Sequence, residues 1–211
     1  MPQRNFFRDH SVEIDSFVNK FQSFPEISQT KIELWIENFA DEHKELALKV
    51  LSNVDYFSTA RIHTACKDIF DQLNTLKGND LSKVYFSSFG TPANSGEHLL
   101  SIFRTANNLV GSQNALKFKS IAEINDLSLQ QGITIVFLDD FIGTGKQALE
   151  FWGGIASIIP QDAEIYLGAV CAFEEGIHNI QNNTEMKVLC YRRLNDQNKL
   201  FSPLNPNFSP T

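Results

Sequence analysis

Ile133-Thr134-Ile135-Val136-Phe137-Leu138-Asp139-Asp140-Phe141-Ile142-Gly143-Thr144-Gly145-Lys146 is the stretch that decides how this chain is read. Its first six residues are nearly all apolar and rich in β-branched side chains. That is the pattern of a parallel strand buried on both faces, which sits inside a sheet covered by helices. The run stops at two carboxylates and a glycine-containing loop. In open α/β sheets, ligands bind outside the carboxyl ends of the strands, so a polar loop here bears directly on function. Ala148, Phe151, Trp152, Ile155 and Ile159 then recur at helical spacing and predict a helix that starts near Thr144.

The loop has the chemistry of a phosphate site. Successive backbone amides followed by a helix N-terminus suit an anion. Gly143 and Gly145 allow close backbone approach and unusual φ. The Thr144 hydroxyl can donate to a phosphate oxygen, and Lys146 adds positive charge. Asp139 and Asp140 cannot serve the same phosphate, because like charges repel. They suit two vicinal sugar hydroxyls, or Mg²⁺. A sugar phosphate satisfies both ends. Gly143-Thr144-Gly145-Lys146 also invites comparison with a Walker A loop, but that motif needs Gly at position 140 and Ser or Thr at 147, where this chain has Asp140 and Gln147. A solvated turn that happens to hold two acids is the plainer alternative.

The flanking sequence extends the pattern. Val84-Tyr85-Phe86 is β-prone and leads into Ser87–Gly96, dense in small, turn-forming residues. Leu99, Ile102, Phe103 and Ala106 predict a helix from about Glu97, and Asn94 with Glu97 resembles a capping box. Leu116–Ile121 is a weaker strand candidate. Ile165–Ala172 reads as a strand, Glu175–Ile180 as a short helix and Lys187–Tyr191 as the last strand. The alternation implies right-handed βαβ units and a parallel sheet, of five strands if 116–121 is counted. Upstream the period is helical throughout. Ile14, Phe17, Val18 and Phe21 share a face, as do Ile32, Trp35, Ile36 and Phe39, and Leu46, Ala47, Val50, Leu51 and Val54. Ile62, Cys66, Ile69, Phe70, Leu73 and Leu76 form a longer stripe, which Lys77-Gly78-Asn79 terminates. The expected organisation is a helical region over 1–80, an α/β domain over 81–195 and an irregular tail over 196–211.

Composition narrows the function classes. The chain has 211 residues, 42% of them hydrophobic and 20% charged, enough for a packed core. Net charge is -7, with only six arginines and no basic run, so general nucleic-acid binding is disfavoured. Its three cysteines are far apart and form no CxxC, which argues against a disulfide framework or structural zinc and for a reducing cytoplasm. No signal-like segment begins the sequence, and no apolar run nears the ~20 residues of a membrane span. A soluble cytoplasmic protein is expected.

Ile135–Gly145 resembles the phosphoribosyl-pyrophosphate (PRPP) signature of type I phosphoribosyltransferases: four apolar residues, two acids, a few loop residues, then Thr-Gly. Val84–Leu109, with Phe86-Ser87-Ser88-Phe89-Gly90 and Ser95-Gly96-Glu97-His98-Leu99-Leu100, is similar to phosphoribosyltransferase-like proteins of bacterial conflict systems. Phe137–Gly145 with Phe151-Trp152 behind it shares this likeness, and so does Leu51–Phe57. Some members accompany antiphage cassettes, including retrons. The likeness spans about residues 30–195.

The resemblance implies a Rossmann-like phosphoribosyltransferase parallel sheet with an N-terminal helical region. It implies Asp139 and Asp140 as the catalytic carboxylates on the ribose hydroxyls, with Phe141, Ile142, Gly143, Thr144, Gly145 and Lys146 around the 5′-phosphate. Ser87, Ser88, Phe89 and Gly90, extending to Ser95 and Gly96, match the pyrophosphate loop, and Arg104 is the nearest basic residue. This loop lacks the Lys or Arg that many members carry. The implied activity is phosphoribosyl transfer from PRPP or a related nucleotide in a defence context. Mg²⁺ would be held through the ligand, or by Asp139 or Asp140. An inactive phosphoribosyl sensor or interaction module is the other reading. Related proteins tend to continue past the position of Tyr191, so the chain reads as a short or truncated member whose acceptor side is incomplete or supplied by a partner; a defence-system partner protein or a homo-oligomer is the expected company. Glu174-Glu175, after a strand end, read equally as ligand contacts or solvated helix-start carboxylates, whereas Arg192-Arg193 after the last strand reads first as an exposed pair and second as a contact to an anionic ligand. His98 reads as a surface or capping residue.

Overall fold

The structure, a computed structural model, describes residues 6–21, 27–90 and 95–208. Two compact units divide at Thr59/Ala60. The first contains α1 (Phe6–Asp9), α2 (Ser11–Lys20), α3 (Gln29–Ile36) and α4 (Lys44–Ser52). The Ser28 side chain caps α3 by accepting from the Lys31 amide. Ile14, Phe17, Phe21, Ile32, Ile36 and Leu48 bury together as its core. Lys20 ties α2 to the end of α4 and the residues after it, its Nζ donating to the carbonyls of Ser52 (2.9 Å) and Val54 (2.7 Å). Trp35 and Phe39, which share the apolar spacing of α3, stay partly exposed with their rings edge-to-face.

The second unit opens with α5 (Thr59–Leu76), β1 (Val84–Ser88), α6 (Ser95–Ala106), α7 (Ser112–Ala115) and α8 (Ile121–Asn125). It continues with β2 (Thr134–Ile142), α9 (Lys146–Ile155), β3 (Glu164–Phe173), α10 (Glu174–Asn183) and β4 (Lys187–Leu194). The strands form one parallel sheet in the order β1-β2-β3-β4. Helix α5 ends as its sequence dictates: Gly78 and Asn79 both take positive φ, and the Asn79 amide donates back to the Asn74 carbonyl. Its buried stripe of Ala65, Cys66, Ile69 and Leu73 belongs with the sheet, so α5 is grouped with β1–β4 rather than with the N-terminal helices.

The apolar run of β2 is buried along both faces, as a central strand requires. Ile133, Ile135 and Phe137 meet α8, α9 and α10 through Ile124, Trp152, Ile155, Ile177 and Ile180. On the other face Phe86 packs with Phe70 of α5 and Phe103 of α6, at centroid distances of 6.4 and 5.2 Å. The strand expected at 116–121 shrinks to a single parallel bridge, Phe86 with Phe118. The Phe118 ring stacks on Phe86, and Ser120 caps α8 immediately afterwards, which leaves no length for a ladder. The sheet therefore has four strands and not five. The tail contains a 3-10 turn, Asp196–Asn198, and a buried Asn205 that donates to the Lys199 carbonyl. Among the described residues no helix is long and apolar enough to cross a membrane.

An ion cluster closes the N-terminal edge of β3. The Glu164 carboxylate receives Nζ of Lys77, Nζ of Lys187 at 2.6 Å and the Tyr166 hydroxyl at 2.7 Å. Burial pushes its pKa up, but the hydrogen bonds from Lys187, Lys77 and Tyr166 together outweigh this and bring it to about 2, from 4.5. A depressed folded pKa stabilises above the unfolded value and loses that contribution as pH falls towards 2. Glu164→Gln should therefore melt below the wild type at pH 7, and thermal melts should show the gap narrowing below about pH 4.

Candidate functional site

Strand β2 carries Asp139 and Asp140 to the carboxyl edge of the sheet, where Asp139 still pairs in register with Ala169 of β3. Asp139 is half-buried and Asp140 exposed. The Asp140 amide donates to Asp139 Oδ1 at 2.9 Å. Burial, and then the neighbouring Asp140 charge, push the Asp139 carboxyl up to about 7. A carboxylate kept this reluctant to ionise is one that a hydroxyl donor or a cation would relieve.

The following residues curl into a small open pocket lined by Asp139 and the stretch Phe141–Ala148. Ile142 is buried in the core, so only its backbone can serve the loop. Phe141 is exposed and lies edge-to-face on Phe173 at 5.9 Å. Gly145, at φ 79, is the N-cap of α9. Thr144 is exposed, with its Oγ1 3.5 Å from the Lys146 amide that donates to it. Lys146 is exposed and pairs loosely with Glu150 at 3.8 Å.

The glycines of the loop differ in their reasons. A Cβ at Gly145 would lie 2.9 Å from the Gly176 carbonyl oxygen and 3.1 Å from Ile180, on top of the positive φ. At Gly143 a Cβ would meet only the Phe141 ring, at an ordinary 3.6 Å, and φ is not positive. Packing accounts for Gly145 and does not account for Gly143.

The pyrophosphate-loop candidates separate in space. Ser87 faces Phe137 in register and is 1% exposed. Its hydroxyl is a buried polar group with no hydrogen-bond partner among the described residues. Ser88 pairs with Leu138 and is half-buried at the strand end. Phe89 belongs to the core: its amide extends the ladder to the Leu138 carbonyl at 2.9 Å, and its ring packs on Phe137 and Phe151. Gly90 takes a φ of 97, so the chain turns sharply there. Gly96 serves packing, because a Cβ would stand 2.5 Å from the Phe89 carbonyl oxygen and 3.1 Å from that of Leu138. Ser95 begins α6. Residues 91–94, including Asn94 of the expected capping box, lie outside the described residues.

Arg104 is not brought to this loop. Nine residues along α6 from Ser95, it stands about 13 Å down the helix axis. There its Nε donates to the Leu109 carbonyl (3.2 Å), and its guanidinium lies over the Phe118 ring at 5.0 Å. Glu175 pairs with Lys199 at 2.6 Å, and His98 is exposed.

Two residues that sequence reasoning passes over grip the loop from α10. Gly176 packs so tightly that a Cβ would stand 2.1 Å from the Gly143 carbonyl oxygen. Asn179 donates from Nδ2 to the Thr144 carbonyl at 2.8 Å. A glycine in the first turn of a helix just after a strand is the one local signal of such an approach.

Residues 32–210 match the family model of PRTase-CE. The chain belongs to the PRTase-CE family. Solved structures similar to this PRTase-CE protein include a hypoxanthine-guanine-xanthine phosphoribosyltransferase, with 11% identity, a TM-score of 0.41 and coverage of 67% of this chain and 77% of that one. They also include orotate phosphoribosyltransferase from Aeropyrum pernix (12% identity, TM-score 0.40, 64% of this chain and 72% of that one). A third is hypoxanthine phosphoribosyltransferase from Trypanosoma cruzi (10% identity, TM-score 0.37, 66% and 76%). No curated protein matches the sequence. The PRTase-CE chain is phosphoribosyltransferase-like in family and in its Rossmann-like parallel α/β fold.

Proposed function

We propose that this PRTase-CE protein binds PRPP, or a related phosphoribosyl nucleotide, together with Mg²⁺, and transfers the phosphoribosyl group to an acceptor. The observation that carries the reading is the half-buried Asp139 beside Asp140 at the end of β2, followed directly by a loop whose Gly143 has no packing reason to lack a side chain. Asp139 and Asp140 accept hydrogen bonds from the two ribose hydroxyls. The amides of the 141–145 loop and the N-terminus of α9 hold the 5′-phosphate. The C1–O bond to pyrophosphate breaks and a bond from C1 to the acceptor nucleophile forms, with the bonding electrons leaving on pyrophosphate. These residues contribute mainly by positioning the ribose.

The donor set suits a cation shared with the ligand. Two adjacent carboxylates stand at the site, and among the described residues no group of three His, Cys, Asp or Glu could form a protein cage. Asp139 or Asp140 would supply one oxygen and the ligand the rest. Bound Mg²⁺ would offset the charge of the departing pyrophosphate. A role in bacterial defence, with a partner protein at the acceptor side, is part of the same proposal. The resemblance of 84–109 and 137–152 supports it.

Calorimetric titration of PRPP with Mg²⁺ tests the binding, and pyrophosphate release across a panel of acceptors tests the transfer. Heat of binding together with release for at least one acceptor is the expected result. A wild type that gives no heat would overturn the proposal.

A further inference from the structure

Asn179 sits midway along α10 and donates from Nδ2 to the Thr144 carbonyl at 2.8 Å. One turn on, Asn183 donates from its own Nδ2 to Asn179 Oδ1 (3.1 Å) and to the Asn179 backbone carbonyl (2.8 Å). The contact to Oδ1 orients the Asn179 amide: with its oxygen occupied by a donor, its nitrogen is the end turned to Thr144.

The Thr144–Gly145 peptide is the unit this relay controls. A trans peptide carries its C=O and N–H in opposite directions, so drawing the Thr144 carbonyl to α10 turns the Gly145 N–H away from α10. Glycine accepts φ of either sign, so this peptide is cheap to flip unless something outside the loop chooses its direction. Gly145, at φ 79, is held on one side of that choice.

We infer that Asn179, oriented by Asn183, is a positioning residue of the phosphate loop, setting the Thr144–Gly145 peptide so that its N–H is presented to the 5′-phosphate. The inference rests on the phosphoribosyl reading above. It also ties the helix that follows β3 to the grip on the ligand at the end of β2.

The test uses Asn179→Asp, which keeps the shape and removes the donor, and Asn183→Ala, which removes the orienting contact. Amide NMR of the ligand-free protein reads the peptide, a ribose 5-phosphate titration reads the function, and thermal melts read stability. Asn179→Asp should move the Gly145 and Lys146 amide resonances and weaken ribose 5-phosphate by about tenfold, the worth of one hydrogen bond. Its melting temperature should stay near that of the wild type. Asn183→Ala should move the same resonances by less. A wild type that binds and an Asn179→Asp variant that binds equally would overturn the positioning role and leave the phosphoribosyl reading standing. A variant that loses affinity only in step with its melting temperature would also overturn it. A wild type that takes up neither ribose 5-phosphate nor PRPP with Mg²⁺ would overturn the phosphoribosyl reading, and the ligand role of Asn179 with it, whatever the Gly145 resonance does; one that takes up PRPP alone is titrated with PRPP and judged by the same comparison.

Discussion

Asp139→Asn/Asp140→Asn should give no measurable heat with PRPP and Mg²⁺ under conditions where the wild type binds, a loss of at least about 100-fold. Each carboxylate accepts a charged hydrogen bond from a ribose hydroxyl in the proposed complex, and such bonds are worth about 1.5–3 kcal/mol. Losing two of them removes about 3–6 kcal/mol, and every 1.4 kcal/mol is roughly tenfold. Equal heats for wild type and variant would sink the assignment. The pH dependence gives an independent check. Because burial and Asp140 raise the Asp139 carboxyl to about 7, its acceptor form gains population as pH climbs through that value, and affinity should climb with it. Stability runs the opposite way. A raised folded pKa helps the fold fully below the unfolded value of 3.8, and that help is lost as pH rises through about 7. Asp139→Asn alone should therefore melt above the wild type at pH 8, with the gap narrowing as pH falls below about 7 and closing only near 3.8. A single substitution would then raise stability while weakening binding, the exchange expected of a group held in place for its ligand.

Gly176→Ala should be the most damaging one-carbon change near the loop. Alanine normally stabilises a helix relative to glycine by ~1 kcal/mol. Here the added methyl would stand 2.1 Å from the Gly143 carbonyl oxygen and 2.8 Å from Ile142 Cγ2. The first of these is backbone, so no rotamer change relieves it. Either α10 lifts or the loop moves, at a cost of about 1–3 kcal/mol, and affinity for ribose 5-phosphate should fall with it. Gly153→Ala and Gly154→Ala, both in α9 with nothing within 4 Å of the added carbon, are the controls. Denaturant unfolding should show them level with or above the wild type, and Gly176→Ala below it. If Gly176→Ala stabilises as they do, the loop is not braced by α10.

How much of this was legible in the sequence depends on the range of the interaction. The apolar run at 133–138 announced β2, because a strand buried on both faces leaves no polar residue to hide. The two acids and Thr144-Gly145 announced the loop, because their order along the chain is itself the chemistry. Gly176 and Asn179 were silent: they act on residues 33 and 35 positions earlier, through a closeness that no local pattern encodes. Arg104 shows the same limit from the other side. A basic residue on the helix after the loop is near in sequence, yet further along α6 its side chain is taken up by the Leu109 carbonyl and the Phe118 ring. Gly96 was read with the loop for its size, whereas it is small to let α6 meet the end of β1. For α5 the 3.6-residue period identified the buried stripe and said nothing about what covers it.

The placement of α5 has a consequence for how the chain acquires its fold during synthesis. Gln72 donates to the carbonyl of Cys190, 118 residues later, and Gly168 of β3 lies bare against Ile69. The helix leaves the ribosome early, but the last strand it serves is made more than a hundred residues later. Phe70 can meet Phe86 and Phe103 once β1 and α6 are made, but the part of α5 that faces β3 and β4 must wait for those strands to be translated. Closing contacts of such separation costs loop entropy before it gives any return, which slows folding and exposes sticky surface meanwhile. The yield of folded protein should therefore respond to translation speed across residues 80–190 and to chaperones that shield a helix of this kind.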